Sequence, residues 1–221
     1  SMASSVLFNH PEIQEILPGD VDGDGDLDLV VVAKDGAGDD LLWFENVNGD
    51  ASSWSASHTI AAVAAGAEDG DLLDIDRDGD LDLLVAAGTD GTVTWYANPG
   101  DGTGVWPAYT LDSGRPGVSA AVAGDLDGDG DLDVVTLGDG TIAFHENIRL
   151  HHSVTFPNVT AGPTWYGPAR FEPVDIDGDG DLDLLGKNHD SLGAIVWSVN
   201  HGDAASWSAA DTIADGFGAP R

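Results

Sequence analysis

Four short stretches of the chain place aspartates at alternating positions around a glycine. The first reads GDVDGDGDLDLVVV over residues 19–32, and equivalent stretches start at Asp74, Asp125 and Asp175. Calcium takes about six to eight oxygen ligands, and alternating carboxylates in a tight turn can all point toward one ion. The glycine at the sixth position of the pattern D-x-D-x-D-G-x-x-D allows the sharp turn that returns the ninth carboxylate to that ion. The sequence therefore predicts one calcium site in each stretch.

The predicted side-chain ligands are the carboxylates at the first, third, fifth and ninth positions of each loop. They are Asp20, Asp22, Asp24 and Asp28; Asp74, Asp76, Asp78 and Asp82; Asp125, Asp127, Asp129 and Asp133; and Asp175, Asp177, Asp179 and Asp183. The seventh position is also acidic, and we expect its backbone carbonyl to face the ion; these residues are Asp26, Asp80, Asp131 and Asp181. Magnesium fits less well because it requires near-octahedral geometry and retains its waters. We expect about four calcium ions, one for each repeat.

Other loops with similar sequences do not fit this spacing. An EF-hand requires a glutamate at loop position twelve between two helices, whereas that position holds Val31, Val85, Thr136 and Gly186. Tandem nonapeptide calcium repeats recur about every nine residues, not about every fifty. Aspartate and glycine also form ordinary turns, but turn formation does not require the same four carboxylate positions in every repeat.

The aspartate-rich loops belong to a longer internal repeat of about 50 residues. Aromatic motifs ending in asparagine recur at 43–46, 95–98, 144–147 and 197–200, and a third register contains Trp54, Trp106, Phe156 and Trp207. In the second repeat we predict strands at 67–75, 81–87, 92–98 and 107–111. Short strands in units of this period are typical of propeller blades. The predicted fold is all-β, a β-propeller of four four-stranded antiparallel blades with a calcium loop between strands 1 and 2 of each blade. Residues 1–221 would form a single domain with repeats at 10–61, 62–112, 113–161 and 162–215.

Composition restricts the partners. The chain carries 40 acidic and seven basic side chains, a formal net charge of −33. Nucleic acids and anionic membrane surfaces require a basic surface, so both are excluded as partners and cations are favoured. The chain has no cysteine, which rules out disulfides and thiolate metal sites. Its apolar runs are shorter than the roughly 18 to 20 residues that span a bilayer, so no membrane insertion is expected.

The repeat also resembles a known family. The stretch GDLDGDGDLDVV at 124–135, followed by the aromatic-x-x-Asn strand, resembles the FG-GAP/VCBS-type repeat of integrin α-subunit-like propellers and of related fungal and bacterial lectins. The resemblance covers about residues 10–215. It implies that the calcium positions above are retained, and that the protein is extracellular or at the cell surface in adhesion or glycan recognition. Arg77 at a fourth loop position and Phe144 in place of tryptophan depart from the pattern.

The number of strands leaves the closure of the propeller open. Val6 precedes Asp20 by the same distance as Ile60 precedes Asp74, so the chain contains five strand-4 ends for four loops. Three arrangements fit this count: a closed four-bladed ring, a homodimer that completes an eight-bladed ring, and a fragment of a larger propeller.

A second binding site is predicted on the face opposite the calcium loops. Sugar sites combine aromatic rings with orienting polar groups, and the candidate ligand-binding residues are Arg115, Trp165, Tyr166, Arg170 and His189. The aromatic residues of this set would otherwise cover an edge of the core. The histidines at 145, 151 and 152 are a further, weaker candidate for a transition-metal site.

No catalytic motif accompanies these sites. The chain lacks a G-x-S-x-G turn, an H-E-x-x-H helix and a phosphate loop, so we predict that it is not an enzyme. The sequence favours a calcium-binding extracellular module that recognises a carbohydrate or another extracellular protein. Two alternatives remain open: a purely structural calcium-stabilised element of a larger surface protein, and a polysaccharide-acting enzyme on a propeller scaffold.

Overall fold

The computed structural model of the protein describes residues 9, 12–34, 39–63, 66–147, 159–164, 168–188, 194–202 and 206–214. Within these residues the chain forms sixteen β-strands. The first eight are β1 (Ile13–Gly19), β2 (Asp28–Ala33), β3 (Asp39–Phe44), β4 (His58–Val63), β5 (Ala67–Leu73), β6 (Asp82–Ala87), β7 (Thr92–Tyr96) and β8 (Ala108–Ser113). The second eight are β9 (Val118–Gly124), β10 (Asp133–Gly138), β11 (Thr141–His145), β12 (Val159–Thr164), β13 (Pro168–Val174), β14 (Asp183–Asn188), β15 (Ile195–Ser198) and β16 (Asp211–Ala214).

The strands form four antiparallel sheets of four strands, and each sheet is one continuous stretch of sequence. Strand order follows chain order in every sheet, from β1-β2-β3-β4 to β13-β14-β15-β16. The prediction of an all-β chain built from four-stranded antiparallel units is therefore confirmed, and the arrangement is consistent with the blades of a β-propeller. We call the sheets blades one to four in chain order.

The second strand of each blade is the most buried. Every residue of β6 and β10 is buried, because these strands are flanked by neighbouring strands and are covered on both faces. Strands buried on both faces read as continuous apolar runs, not as alternating patterns. The runs VVV at 30–32 and LLV at 83–85 follow from this burial.

Consecutive blades pack face to face through apolar clusters. The clusters join blade one to blade two, blade two to blade three, and blade three to blade four. The first strands also meet in sequence, β1 with β5, β5 with β9, and β9 with β13. Packing between blades thus follows chain order through the described part of the protein.

Two tryptophans of the aromatic-x-x-Asn motifs lie inside these blade interfaces. Trp43 is almost fully buried and stacks on His58 with ring centroids 4.6 Å apart. Trp95 is buried in the same way and stacks on Tyr109 at 4.6 Å. These rings stabilise the blades through burial and stacking. In the residues that the structure describes, no helix is long and apolar enough to cross a membrane.

Replacing Gly102 with alanine is expected to destabilise the interface between blades one and two. Gly102 has φ of 63°, and a Cβ there would lie 2.7 Å from the ring of Trp43. Gly104 is a matched control, because its φ is 86° and a Cβ there would have no neighbour within 4 Å. Gly104→Ala should cost about 1–2 kcal/mol for the backbone conformation alone. Gly102→Ala should cost about 1–3 kcal/mol more for the overpacking, measured by urea unfolding. Equal losses for the two variants would contradict the contact with Trp43.

Candidate metal centre

Each aspartate-rich loop is a tight turn that joins the first and second strands of its blade. In blade one the Gly25 amide donates to Asp20 Oδ2 at 3.0 Å, and the Asp24 amide donates to Asp22 Oδ1 at 3.2 Å. The Asp26 amide donates to Asp24 Oδ1 at 2.9 Å. Similar bonds recur in the other three loops. Local hydrogen bonds therefore hold the carboxylates in place within the turn itself.

Three carboxylates of every loop converge. In each group one oxygen from each residue lies within 4.8 Å of the others, a spacing that can hold a metal ion. The groups are Asp20, Asp22 and Asp28; Asp74, Asp76 and Asp78; Asp125, Asp127 and Asp133; and Asp175, Asp177 and Asp183. The structure thus brings together predicted ligands in all four loops.

The ninth-position aspartate is the most buried member of each loop. In blade one Asp28 Oδ2 accepts a hydrogen bond from the Val21 amide at 3.1 Å, and its Oδ1 accepts one from the Asn46 amide at 2.8 Å. Equivalent pairs of bonds fix Asp82, Asp133 and Asp183. This carboxylate therefore connects the start of the loop, strand 2 and the segment after strand 3.

Sequence reasoning did not assign a role to the asparagine after strand 3, whose backbone amide donates to the ninth-position carboxylate. The residues are Asn46, Asn98, Asn147 and Asn200, and all four are buried. Each side-chain amide donates to the backbone carbonyl at the eighth position of its own loop. The signal was present in the sequence, because the asparagine recurs at a fixed place in the aromatic-x-x-Asn motif.

The first-position carboxylates provide the test of whether a metal fits. In the described residues, Oδ1 of Asp20, Asp74 and Asp125 is buried and has no hydrogen-bond partner. A buried carboxylate oxygen without a partner is costly, and a divalent cation would satisfy it. The donors are all oxygens, as hard cations such as calcium prefer. The residues present therefore fit a calcium ion.

The seventh-position side chain of three loops lies beside the segment after strand 3. In these blades the carboxylate lies close to a glycine: a Cβ on Gly49 would meet Asp26 Oδ2, and one on Gly202 would lie 2.8 Å from Asp181 Oδ2. Asp80 is placed in the same way beside Gly100. The expected role of the seventh backbone carbonyl stays a prediction. Asp131 is buried, and its Oδ2 has no hydrogen-bond partner.

Burial also changes the proton affinity of the loops. Desolvation raises the pKa of Asp82 and of Asp133 to about 7, although hydrogen bonds from backbone amides lower it in part. Neighbouring loop carboxylates raise these pKa values further. Burial likewise raises the pKa of Asp28 and Asp22. A bound cation would oppose these shifts, because its positive charge favours the ionised carboxylates.

Among the predicted ligand-binding residues, Arg115 is the one whose side chain the structure describes. The Arg115 guanidinium contacts Asp112 Oδ2 at 3.3 Å and Thr141 Oγ1 at 2.9 Å, and it also contacts Thr136. It thereby connects blade two to the β10–β11 hairpin of blade three. Trp165, Tyr166 and His189, and the side chain of Arg170, lie outside the described residues, so this site stays a prediction.

The proposed histidine cluster is described only at His145. This side chain is buried, and its Nε2 lies 3.1 Å from Thr136 Oγ1 and 3.5 Å from Asp112 Oδ2. Burial lowers the pKa of His145, and the Asp112 carboxylate partly opposes that shift. The histidines at 151 and 152 lie outside the described residues.

Comparison with known proteins identifies relatives of the repeat. A model of the FG-GAP-like repeat matches residues 20–85, 74–136 and 125–186. Among solved structures, a lectin of Agrocybe aegerita, described as recognising non-reducing terminal N-acetylglucosamine, is 20% identical with a TM-score of 0.63. The match covers 94% of this chain and 54% of the lectin, so the chain spans about half the length of that protein. A Tc holotoxin pore of Photorhabdus luminescens is 16% identical, with a TM-score of 0.35 and coverage of 90% and 12%. No curated protein matches the chain.

In the presence of excess chelator, the free energy of unfolding is expected to fall as the pH rises from 5 to 8. The folded-state pKa values of Asp82 and Asp133 are about 7, above the unfolded value of 3.8. Stability that is present at low pH is therefore lost as these groups ionise in the folded protein. Urea unfolding in 1 M NaCl, which screens the general repulsion of surface charges, measures the effect. A rise in stability over this pH range would contradict it.

Proposed function

Because the chain belongs to the FG-GAP-like repeat family, we propose that it is a calcium-stabilised extracellular binding module whose ligand is a carbohydrate. The calcium part of the proposal rests on one observation: buried oxygens of Asp20, Asp74 and Asp125 lie without a hydrogen-bond partner beside two converging carboxylates. FG-GAP-like repeats are typical of extracellular proteins, which supports the proposed location. Extracellular fluids also contain calcium at concentrations that such loops can use.

We expect calcium to bind to carboxylates that each loop already holds in place, without a rearrangement of the loop. The first, third and fifth carboxylates are fixed by amides of the turn. The ninth is fixed by the amide of the second loop residue and by an amide of the segment after strand 3. A bound calcium ion supplies positive charge that offsets the mutual repulsion of these groups. Calcium-sensor proteins open a pair of helices on binding, whereas these loops join two adjacent strands of one sheet. We therefore expect calcium to stabilise the fold without a large conformational change.

The proposal of a carbohydrate ligand is supported by the fold. The Agrocybe aegerita lectin shares this architecture at a TM-score of 0.63, and terminal N-acetylglucosamine is therefore the first sugar to test. The predicted face with Trp165, Tyr166 and Arg170 has the aromatic and polar groups that sugar sites use. Recognition of an extracellular protein by the same face is the second candidate.

Replacing Asp125 with asparagine is expected to remove one calcium ion of four. The variant loses the first-position charge of the third loop and leaves the other three loops intact. Asp90→Asn, an exposed acidic residue outside the loops, is the matched control and should retain all four ions. Calcium content is measured by elemental analysis after dialysis. Each filled site adds about 2.7 kcal/mol at a hundredfold excess over Kd, so chelator should lower the melting temperature strongly. An unchanged ion count in Asp125→Asn, or an unchanged melting curve in chelator, would contradict calcium binding by these loops.

A glycan array probed with and without calcium tests the ligand. We expect binding to glycans that end in N-acetylglucosamine, loss of that binding in Trp165→Ala, and full calcium content in this variant. Val105→Ala is the control, because Val105 is an exposed apolar residue of blade two. Binding that is unaffected by Trp165→Ala would contradict the predicted face. Absence of glycan binding would contradict the carbohydrate ligand, and release of sugar from acidic polysaccharides would indicate an enzyme instead.

A further inference from the structure

The four aspartate-rich loops carry the same charged residues except at their fourth position. We number the loops one to four after their blades. The fourth residue is glycine in loops one, three and four, where Gly23, Gly128 and Gly178 have φ of 74°, 75° and 80°. Loop two has Arg77 at this position, with φ of 58°. This left-handed conformation is unfavourable for a residue with a Cβ, and such strained residues are common at functional sites. Loop two therefore keeps a charged side chain where the backbone favours glycine.

The side chain of Arg77 extends to loop three of the next blade. Its Nη1 lies 3.7 Å from the point that a Cβ on Gly130 would occupy, and Gly130 is the sixth residue of loop three. The sixth-position glycines of the other three loops have no neighbour within 4 Å of this point; they are Gly25, Gly79 and Gly180. Loop three is thus the loop whose sixth position lies beside a cationic side chain from another blade.

Packing between blades two and three holds these two loops side by side. Ile75, the second residue of loop two, is buried in the same apolar cluster as Val134 of β10. Leu132, the eighth residue of loop three, packs against that cluster. Both loops are therefore anchored to one core, and the approach of Arg77 to Gly130 follows from this packing.

The charge of Arg77 is not consumed by a carboxylate of its own. Among the residues that the structure describes, its guanidinium forms no ion pair; the ion pairs found there involve Lys34, Arg115 and His145. An unpaired positive charge acts on the other charged groups around it. For Arg77 these groups include the carboxylates of loop three and any cation that they bind.

From this placement we propose that Arg77 lowers the calcium affinity of loop three, so that loop three fills last as the calcium concentration rises. The proposal rests on the calcium binding proposed above for all four loops. Repulsion between a calcium ion and one exposed positive charge at a neighbouring loop lowers the affinity by about threefold to tenfold at low salt. Before calcium binds, the same charge partly offsets the repulsion among the carboxylates of loop three. Both effects make calcium binding at loop three less favourable than at the other loops.

Calcium titration of the full chain against a chromophoric chelator, in a buffer of about 20 mM salt where screening is weak, tests the proposal. We expect Arg77→Gln to raise the weakest of the four binding constants by about threefold to tenfold. Arg77→Lys keeps the charge and should behave like the unmodified protein. Lys187→Gln is the matched control, because it removes one positive charge from an exposed residue of β14 in blade four. In about 0.5 M salt the effect of Arg77→Gln should shrink, because salt screens the repulsion.

Double variants show which loop Arg77 acts on. Asp125→Asn removes the site of loop three, and in that background Arg77→Gln should leave the remaining binding constants unchanged. Asp74→Asn removes the site of loop two, and in that background Arg77→Gln should still raise the weakest constant. The two pairs form double-mutant cycles, which isolate the interaction between Arg77 and each loop.

The outcomes separate this inference from the proposed function. If the unmodified chain binds no calcium, both are wrong. If it binds four ions and Arg77→Gln has the same binding constants as Lys187→Gln, the inference alone is overturned. A weaker constant in Arg77→Gln would also overturn it, because Arg77 would then support calcium binding. An effect that persists with Asp125→Asn and disappears with Asp74→Asn would assign Arg77 to its own loop and overturn the inference as well.

Discussion

The carboxylate at the ninth position of each aspartate-rich loop joins three parts of its blade: the start of the loop, strand 2 and the segment after strand 3. Asp82, for example, is fully buried. Its two oxygens accept hydrogen bonds from one backbone amide in the loop before it and from one in the segment after strand 3. Burial raises its pKa to about 7, so the hydrogen bonds do not fully offset the desolvation of the charged form. The fold places an ionisable group where only a cation or a proton can neutralise it.

The same carboxylate is part of a hydrogen-bond network that links the aspartate-rich loops of neighbouring blades. The backbone amide of Asn98 donates to Asp82, and its side chain donates to the Val21 carbonyl in the aspartate-rich loop of the preceding blade. Asn200 repeats this arrangement between blades three and four through Asp183 and the Leu126 carbonyl. Two hydrogen bonds therefore link the loop of one blade to the loop of the preceding blade, in addition to the apolar clusters. Buried polar networks of this kind stabilise one arrangement strongly when every member is satisfied.

Local patterns predicted the parts of the structure that depend on local interactions. The turn of each metal loop follows from residues within about nine positions, and the second strand of blade two, predicted at 81–87, spans Asp82–Ala87. Contacts between distant residues could not be read in this way. Asn98 and Val21 are 77 residues apart, and Arg115 reaches Thr141 across 26 residues. The sequence placed Arg115 in a loop, but it gave no indication that the guanidinium contacts the neighbouring blade.

The repeat pattern also conceals differences in burial between equivalent positions of the blades. Ile60 is buried, whereas Ile213, at the same place in blade four, is 53% exposed. Ile195 is exposed where its equivalent Leu41 is fully buried. The residue type at each repeat position can be read from the sequence, but its burial depends on which segments pack on that face. Those contacts join residues that are far apart in the chain, and a pattern of about 50 residues therefore cannot predict them.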